Sequence, residues 1–150
     1  MTAGAAFAQG FGTGPKSFGG VSFGVQLIGG FAYFPVSVKV GAYDIGIQDL
    51  GVRLDGTYWV NFPFSVIGFG GDVLYRYPVG TVAWVYAGLG PRFAVALGGG
   101  ASLAYGAGFV AGAEYMVTPQ IGINAEANVD YYIVGPGTPY GLSAGVDYYF

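Results

Sequence analysis

The stretch PQIGINAEANVDYYIVGPGTPYGLSAGVDYYF, residues 119 to 150, alternates polar and apolar side chains almost without error and ends on an aromatic. Gln120, Gly122, Asn124, Glu126, Asn128, Asp130 and Tyr132 share one parity, and Ile121, Ile123, Ala125, Ala127, Val129, Tyr131 and Ile133 share the other. After the turn Gly135 to Pro139 the pattern resumes, with Tyr140, Leu142, Ala144, Val146, Tyr148 and Phe150 set against Gly141, Ser143, Gly145, Asp147 and Tyr149. A period of two belongs to the β-strand, whose successive side chains point to opposite faces. One of these faces carries no charge over its whole length and needs a large apolar partner. In a chain of 150 residues that partner is lipid.

Composition points the same way. Thirty glycines and 18% aromatics lie above ordinary usage, and 9% charged residues lie well below it. Disordered chains are charged and poor in aromatics, whereas this one has 13 Tyr and 12 Phe to place, so a strongly folded single domain is expected. The net charge of −3, with no cluster of Lys or Arg, argues against nucleic acid as a partner. Without Cys there is no disulfide scaffold or thiol chemistry, and without His the commonest metal ligand and general base are missing. Near the start, Ala6-Phe7-Ala8 before Gln9 fits the end of an export signal. Residues 1 to 8 therefore read either as a remnant of such a signal or as a loose part of an N-terminal segment covering residues 1 to 17.

Two uncharged stretches, Ser17 to Val38 and Phe93 to Ala113, are long enough to cross a bilayer as helices. Against this, Gly98, Gly99, Gly100, Gly106, Gly108 and Gly112 would each cost about 1 kcal/mol relative to Ala in a helix. The surrounding Tyr, Phe and Val favour strands. Read by period two, the chain gives eight strands, at 19 to 28, 33 to 43, 48 to 60, 65 to 77, 82 to 97, 102 to 117, 120 to 133 and 140 to 150. The turns between them are all short, as an up-and-down meander requires: Gly29-Gly30, Asp44 to Ile47, Asn61 to Phe64, Pro78 to Thr81, Gly98 to Gly100, Thr118-Pro119 and Gly135 to Pro139.

The placement of charge separates a membrane barrel from a soluble one. Lys39, Arg53, Asp55, Asp72, Arg76, Arg92, Glu114, Glu126, Asp130 and Asp147 all share the polar parity, and Lys16, Asp44 and Asp49 lie in or beside the ends and turns. The opposite parity, such as Val21, Phe23, Val25 and Leu27, carries no charge. A soluble barrel faces its charges outward, so this inverted pattern predicts a closed antiparallel up-and-down transmembrane β-barrel over residues 18 to 150. Lipid cannot satisfy an open sheet edge, so the sheet must close on itself. Eight strands enclose a lumen that inward side chains fill, with inward glycines leaving room for longer neighbours.

Two aromatic girdles are expected where rings settle at headgroup level. One comprises Tyr33, Phe34, Tyr58, Trp59, Phe62, Phe64, Tyr105, Tyr131 and Tyr140, and the other Tyr43, Tyr75, Tyr77, Tyr115, Tyr148 and Phe150. Pro91, in mid-strand, removes a ladder donor and calls for either a bulge or a strand already projecting beyond the membrane.

The closing run Tyr140 to Phe150, apolar at alternate positions and ending in Phe, resembles the carboxy-terminal assembly signal of the small eight-stranded outer-membrane barrels, the OmpA and OmpX group. The likeness covers residues 18 to 150 as a pattern and the last strand as a motif. Gly and Ala richness with short turns is also similar to the thermophile barrel TtoA. The resemblance implies a bacterial outer-membrane location, periplasmic termini, insertion by the barrel-assembly machinery through Tyr148 and Phe150, and a monomer in contact with outer-membrane lipid. It places Thr118-Pro119 at the periplasmic face and Gly135 to Pro139 outside. The outer turns here are shorter than the family's usual loops.

For chemistry, the absence of His excludes a His-dependent hydrolase, and a Ser-Lys arrangement survives only through Lys16-Ser17 or Ser37 near Lys39. No enzyme activity and no cofactor are expected. Gly10 to Ser17 looks like a phosphate-binding loop, but Pro15 separates Gly14 from Lys16 and no strand-loop-helix setting is predicted. Glu126 and Asp130, with Asn128 between them, could offer oxygens to calcium, against the plainer reading that they pair with inward arginines. Lys39, Arg53, Arg76, Glu114 and Asp147 fall at similar heights, with Asp72 and Glu126 somewhat higher, predicting a lumenal salt-bridge layer. The expected role is structural, in envelope integrity. A narrow channel for small solutes is the second reading, and adhesion or receptor binding through the outer rim is the third.

Overall fold

The computed structural model describes residues 16–60, 65–97, 102–135 and 137–150. Most of the N-terminal segment, the turns Asn61 to Phe64 and Gly98 to Gly100, and the girdle residues Phe62 and Phe64 lie outside the described residues.

Among the described residues nine strands form one antiparallel sheet: β1 Lys16–Ile28, β2 Phe31–Tyr33, β3 Pro35–Tyr43, β4 Leu50–Trp59, β5 Ser65–Pro78, β6 Ala83–Leu97, β7 Ser102–Met116, β8 Ile121–Val134 and β9 Tyr140–Tyr149. β2 and β3 are two parts of a single stave, interrupted at Phe34, and both pair with β1. The barrel therefore has eight staves. It closes where β1 meets β9, in register from Phe18 opposite Tyr149 to Leu27 opposite Tyr140. The Phe150 amide extends this seam by donating to the Ser17 carbonyl at 3.0 Å. Both stretches long enough for a membrane helix are built of strands where the structure describes them.

Turn chemistry fixes the ends. Gly29 and Gly30 take φ of 59° and 86°, the left-handed pair that a two-residue hairpin needs. Asp44 and Asp49 also adopt positive φ, and the Asp49 amide donates to Asp44 Oδ1 at 2.8 Å. That turn runs to Asp49, so β4 starts at Leu50, two residues later than the alternation suggested. β1 starts at Lys16, inside the segment assigned to the N-terminus, because Lys16 and Ser17 pair with Tyr43 and Ala42.

Pro91 is accommodated without a bulge. On either side of it β6 pairs with β5 in the same register, Arg92 with Gly70 and Leu89 with Val73, and only the residues between them are unpaired. The ladder has a gap without a slip, and Arg92 Nη1 stands 3.4 Å from the Gly71 carbonyl that faces it. The register irregularity lies elsewhere, between Tyr105 and Gly106 against Val134 and Tyr132.

The faces are inverted relative to a soluble protein. Leu54, Leu89, Ile133 and Leu142 are 66%, 66%, 67% and 68% exposed, while Lys39, Arg53 and Asp72 are 4%, 6% and 3% exposed. Of the expected girdle residues, Phe34, Tyr58, Tyr105, Tyr131 and Tyr140 face outward at one end, and Tyr75, Tyr77, Tyr115, Tyr148 and Phe150 at the other. Tyr43 and Trp59 do not belong to the girdles. Both are buried in the lumen, on the parity of the charged residues.

Inward glycines solve a volume problem. Across seven of the eight stave contacts an inward side chain lies where a Cβ of a neighbouring glycine would be: Phe18 over Gly41, Tyr43 over Gly51, Trp59 over Gly68, Leu74 over Gly88, Tyr86 over Gly112, Glu114 over Gly122 and Asp147 over Gly20; at the eighth, Asn124 Oδ1 stands 3.1 Å from that point on Gly145. Side chains that would collide at full size instead overlap a neighbour's bare backbone. A Cβ at Gly112 would sit 2.7 Å from the Tyr86 ring and hydroxyl, whereas one at outward Gly56 would meet only a Val38 methyl at 3.7 Å. Gly112→Ala is therefore expected to destabilise the barrel by about 1–3 kcal/mol through overpacking, with Gly56→Ala near neutral. Urea unfolding of the detergent-folded barrel, read as the loss of its fast-migrating band on a semi-native gel, checks the difference.

Candidate functional site: the lumen

Alternation on all eight staves sends the charged residues inward, and the lumen they enter divides along its length. Towards the chain termini an apolar cluster of Phe18, Tyr43, Leu74, Tyr86, Val110, Met116 and Tyr149 closes it, with Val82 and Trp84 packed against it. Phe18 stacks on Tyr43 with centroids 5.5 Å apart and lies 5.6 Å from Tyr149. Arg76 lies over the Tyr43 ring at 4.3 Å, turning a cation onto the ring face.

Next comes a continuous ionic network. Asp147 faces Lys39 at 3.5 Å, and Lys39 pairs with Glu126 at 2.8 Å. Glu126 holds Arg53 at 2.8 Å, and Arg53 reaches Asp72 at 2.8 Å. Asp72 also receives Arg92 at 2.7 Å, and Arg92 pairs with Asp130 at 3.0 Å. Neutral groups extend it. Asn124 accepts from Lys39 and donates to Asp147, Tyr86 donates to Glu126, and Gln26 links Asp130 to the Trp59 indole. Glycines admit the bulk here too, since a Cβ on Gly108 would collide with Asp130 and Arg92.

Beyond the network a cavity of about 80 Å³ is lined by Ser22, Ser37, Asp55, Thr57, Asn128 and Ser143, among others. Ala94, Ala104 and Tyr132, with Val66 against them, narrow the lumen at that end.

This arrangement differs from the expected layer at two members. Arg76 does not join the network; it pairs with Asp44 at 3.0 Å and Asp49 at 3.2 Å, two turn residues that the alternation left outside the lumen. Glu114 also stands apart. Its Oε2 accepts from the Tyr149 hydroxyl at 2.7 Å, and its buried Oε1 has no hydrogen-bond partner among the described residues. Arg92 and Asp130, absent from the predicted layer, are integral to it. The signal was present, because both share the inward parity.

The other candidate chemistry is drawn into these contacts. Glu126 and Asp130, considered for calcium, are held by Lys39 and Arg53 and by Arg92. Ser37 hydrogen-bonds Thr57 at 2.8 Å, while Lys39 donates to Asn124 and Glu126, so this Ser and Lys have separate partners.

A closed barrel with an apolar exterior and an ionic interior defines the architecture of a transmembrane β-barrel. Solved structures agree. Neisserial surface protein A is 23% identical with a TM-score of 0.68, over 91% of this chain and 97% of that one. Ail, the attachment invasion locus protein of Yersinia pestis, is 14% identical with a TM-score of 0.66, over 91% and 99%. A major outer membrane protein from Thermus thermophilus is 17% identical with a TM-score of 0.68, over 89% and 99%. No family model and no curated protein matches the sequence. The fold is that of the small eight-stranded outer-membrane barrels, and the resemblance read from the carboxy-terminal strand holds at the level of fold.

Substitutions at Asp72, Asp49 and Tyr149 probe the lumen. Asp72→Asn leaves Arg53 and Arg92 converging on a neutral amide and is expected to cost about 3–5 kcal/mol, as for breaking a buried ion pair from one side. Asp49→Asn should cost less, because Arg76 keeps Asp44. Tyr149→Phe removes the hydrogen bond to Glu114 and should cost about 1–3 kcal/mol. Urea midpoints of the folded band measure these effects.

Proposed function

We propose that the protein is an integral outer-membrane barrel whose role is structural, contributing to envelope integrity, with a lumen that does not conduct solutes. The observation that carries this reading is the lumen itself, crossed by the Asp147–Lys39–Glu126–Arg53–Asp72–Arg92–Asp130 network and closed below it by the Phe18, Tyr43 and Tyr149 rings. A solute would have to part both. Supporting the location are the exposed apolar belt, the aromatic residues at both ends and the outer-membrane neighbours. In this reading the barrel is a monomer bathed in outer-membrane lipid, without catalytic activity.

Assembly belongs to the same proposal. Tyr148 and Phe150 are 54% and 77% exposed and stack at 6.4 Å, presenting an aromatic end for the barrel-assembly machinery. Attachment, the process for which the Yersinia neighbour is named, is a weaker reading here. On the outer side the turn Gly29-Gly30 has two residues and Gly135 to Pro139 five, little from which to form a binding surface.

Two outcomes are expected. Reconstituted in planar bilayers, the barrel should give no steady, resolved openings; well-defined channel steps would defeat the closed-lumen reading in favour of a narrow channel. Deleting Phe150 should sharply lower the folded, heat-modifiable fraction in cellular outer membranes, whereas unaided refolding into detergent should be less affected.

A further inference from the structure

The lumenal cavity is lined by three bases and three carboxylates, and the ionic network beneath it adds two further carboxylates, Asp72 and Asp147. The bases are Lys39, Arg53 and Arg92, and each is already committed: Lys39 to Glu126 and Asn124, Arg53 to Asp72 and Glu126, Arg92 to Asp72 and Asp130. Against these three bases stand five carboxylates, the network's four, Asp72, Glu126, Asp130 and Asp147, together with Asp55. Cavity and network together are short of positive charge.

Asp55 shows where the deficit falls. It lines the cavity, and among the described residues its carboxylate makes no ion pair and no hydrogen bond. A Cβ on Gly70 would lie 2.8 Å from Asp55 Oδ2 and 3.0 Å from Arg92 Nη1, so the carboxylate and guanidinium approach across that glycine without forming an ion pair. A second, independent observation concerns Ser22. It is 6% exposed, points inward, lines the same cavity, and its hydroxyl has no hydrogen-bond partner among the described residues. The hydroxyl opens onto the cavity and is left to whatever occupies that space. Ser37 and Thr57 add two further hydroxyl oxygens to the lining.

From this we infer that the cavity is a binding site for a small monovalent cation, held by the Asp55 carboxylate with neutral oxygens from Ser22, Thr57 and Asn128. Oxygen donors suit hard cations. One uncommitted carboxylate among hydroxyl and amide oxygens suits a single charge, and among the described residues no group of three acidic side chains is placed to hold a metal ion. The volume of about 80 Å³ accommodates such an ion with part of its water shell. The site lies above the aromatic closure and binds without conducting, so its failure and that of the closed-lumen reading are separable.

The test uses the folded full chain in non-ionic detergent, with thermal unfolding followed while NaCl or KCl replaces choline chloride at constant ionic strength. The wild type should show a saturable rise in unfolding temperature with sodium or potassium. Asp55→Asn should lose the response, and Ser22→Ala should shift it to higher salt; retention of the heat-modifiable band in each variant establishes folding. Sodium-23 NMR should show excess line broadening with the wild type that potassium displaces and Asp55→Asn removes. Equal stabilisation by choline, an undiminished response in Asp55→Asn, or saturation by calcium at far lower concentration would overturn the assignment.

Discussion

A barrel of eight staves leaves a lumen too narrow for full-sized side chains at every inward position. That volume limit governs the interior. Glycine meets it by letting one stave's side chain lie on the bare backbone of the next, and such joints run around the barrel to the closing contact, Asp147 over Gly20. In a soluble domain glycine in a strand weakens it by withholding a side chain to pack. Here the empty position is occupied from next door, so packing is retained and the side chains above gain a fixed direction. The abundance of glycine is a consequence of closure at this circumference.

Charge is placed under the same limit. Sliding β3, β4, β5, β6, β7, β8 or β9 by one residue would turn its inward charge toward the apolar surroundings, at about 2–4 kcal/mol for Arg or Lys near the middle of a bilayer. The ionic network therefore selects register as well as filling space. Asp72 anchors two arginines from different strands, Arg53 on β4 and Arg92 on β6, and sits on β5 between them. Glu126, on the far wall, reaches Lys39 and Arg53 across the lumen. Ladder bonds join only adjacent staves, so these contacts are what tie opposite walls together.

Much of this was legible in the sequence, because period two assigns each residue a face before any partner is known. Lys39, Arg53, Asp72, Arg92 and Asp130 all follow it. Tyr43 and Trp59 lie near strand ends, which suggests the girdles, but parity decides their side: Tyr43 shares a face with Lys39 and Gly41, and Trp59 with Arg53 and Asp55. Partner choice was less legible. Heights measured along each strand ignore tilt, which displaces equivalent positions progressively around the wall. Arg76 and Glu114 thus fall away from a layer that Arg92 and Asp130 enter. The partners of Arg76 lie in a turn whose inward reach depends on the left-handed backbone of Asp44 and Asp49, a feature that alternation does not encode.

Pro91 shows how the two constraints combine. A missing amide in a closed sheet leaves an opposing carbonyl needing a donor, and bulging or ending the strand would sacrifice the register that keeps the charges inside. The chain keeps register and leaves a gap. Gly90 and Gly71 remove the side chains there, and a Cβ on Gly90 would collide with the Gly71 carbonyl, so the backbones approach more closely than substituted residues allow. Arg92, one residue further on, points inward and brings Nη1 towards that carbonyl while its other nitrogens bind Asp72 and Asp130. One guanidinium thus serves both the weakened ladder and the ionic network, and the most irregular point in the wall is braced by the group that connects its neighbours across the lumen.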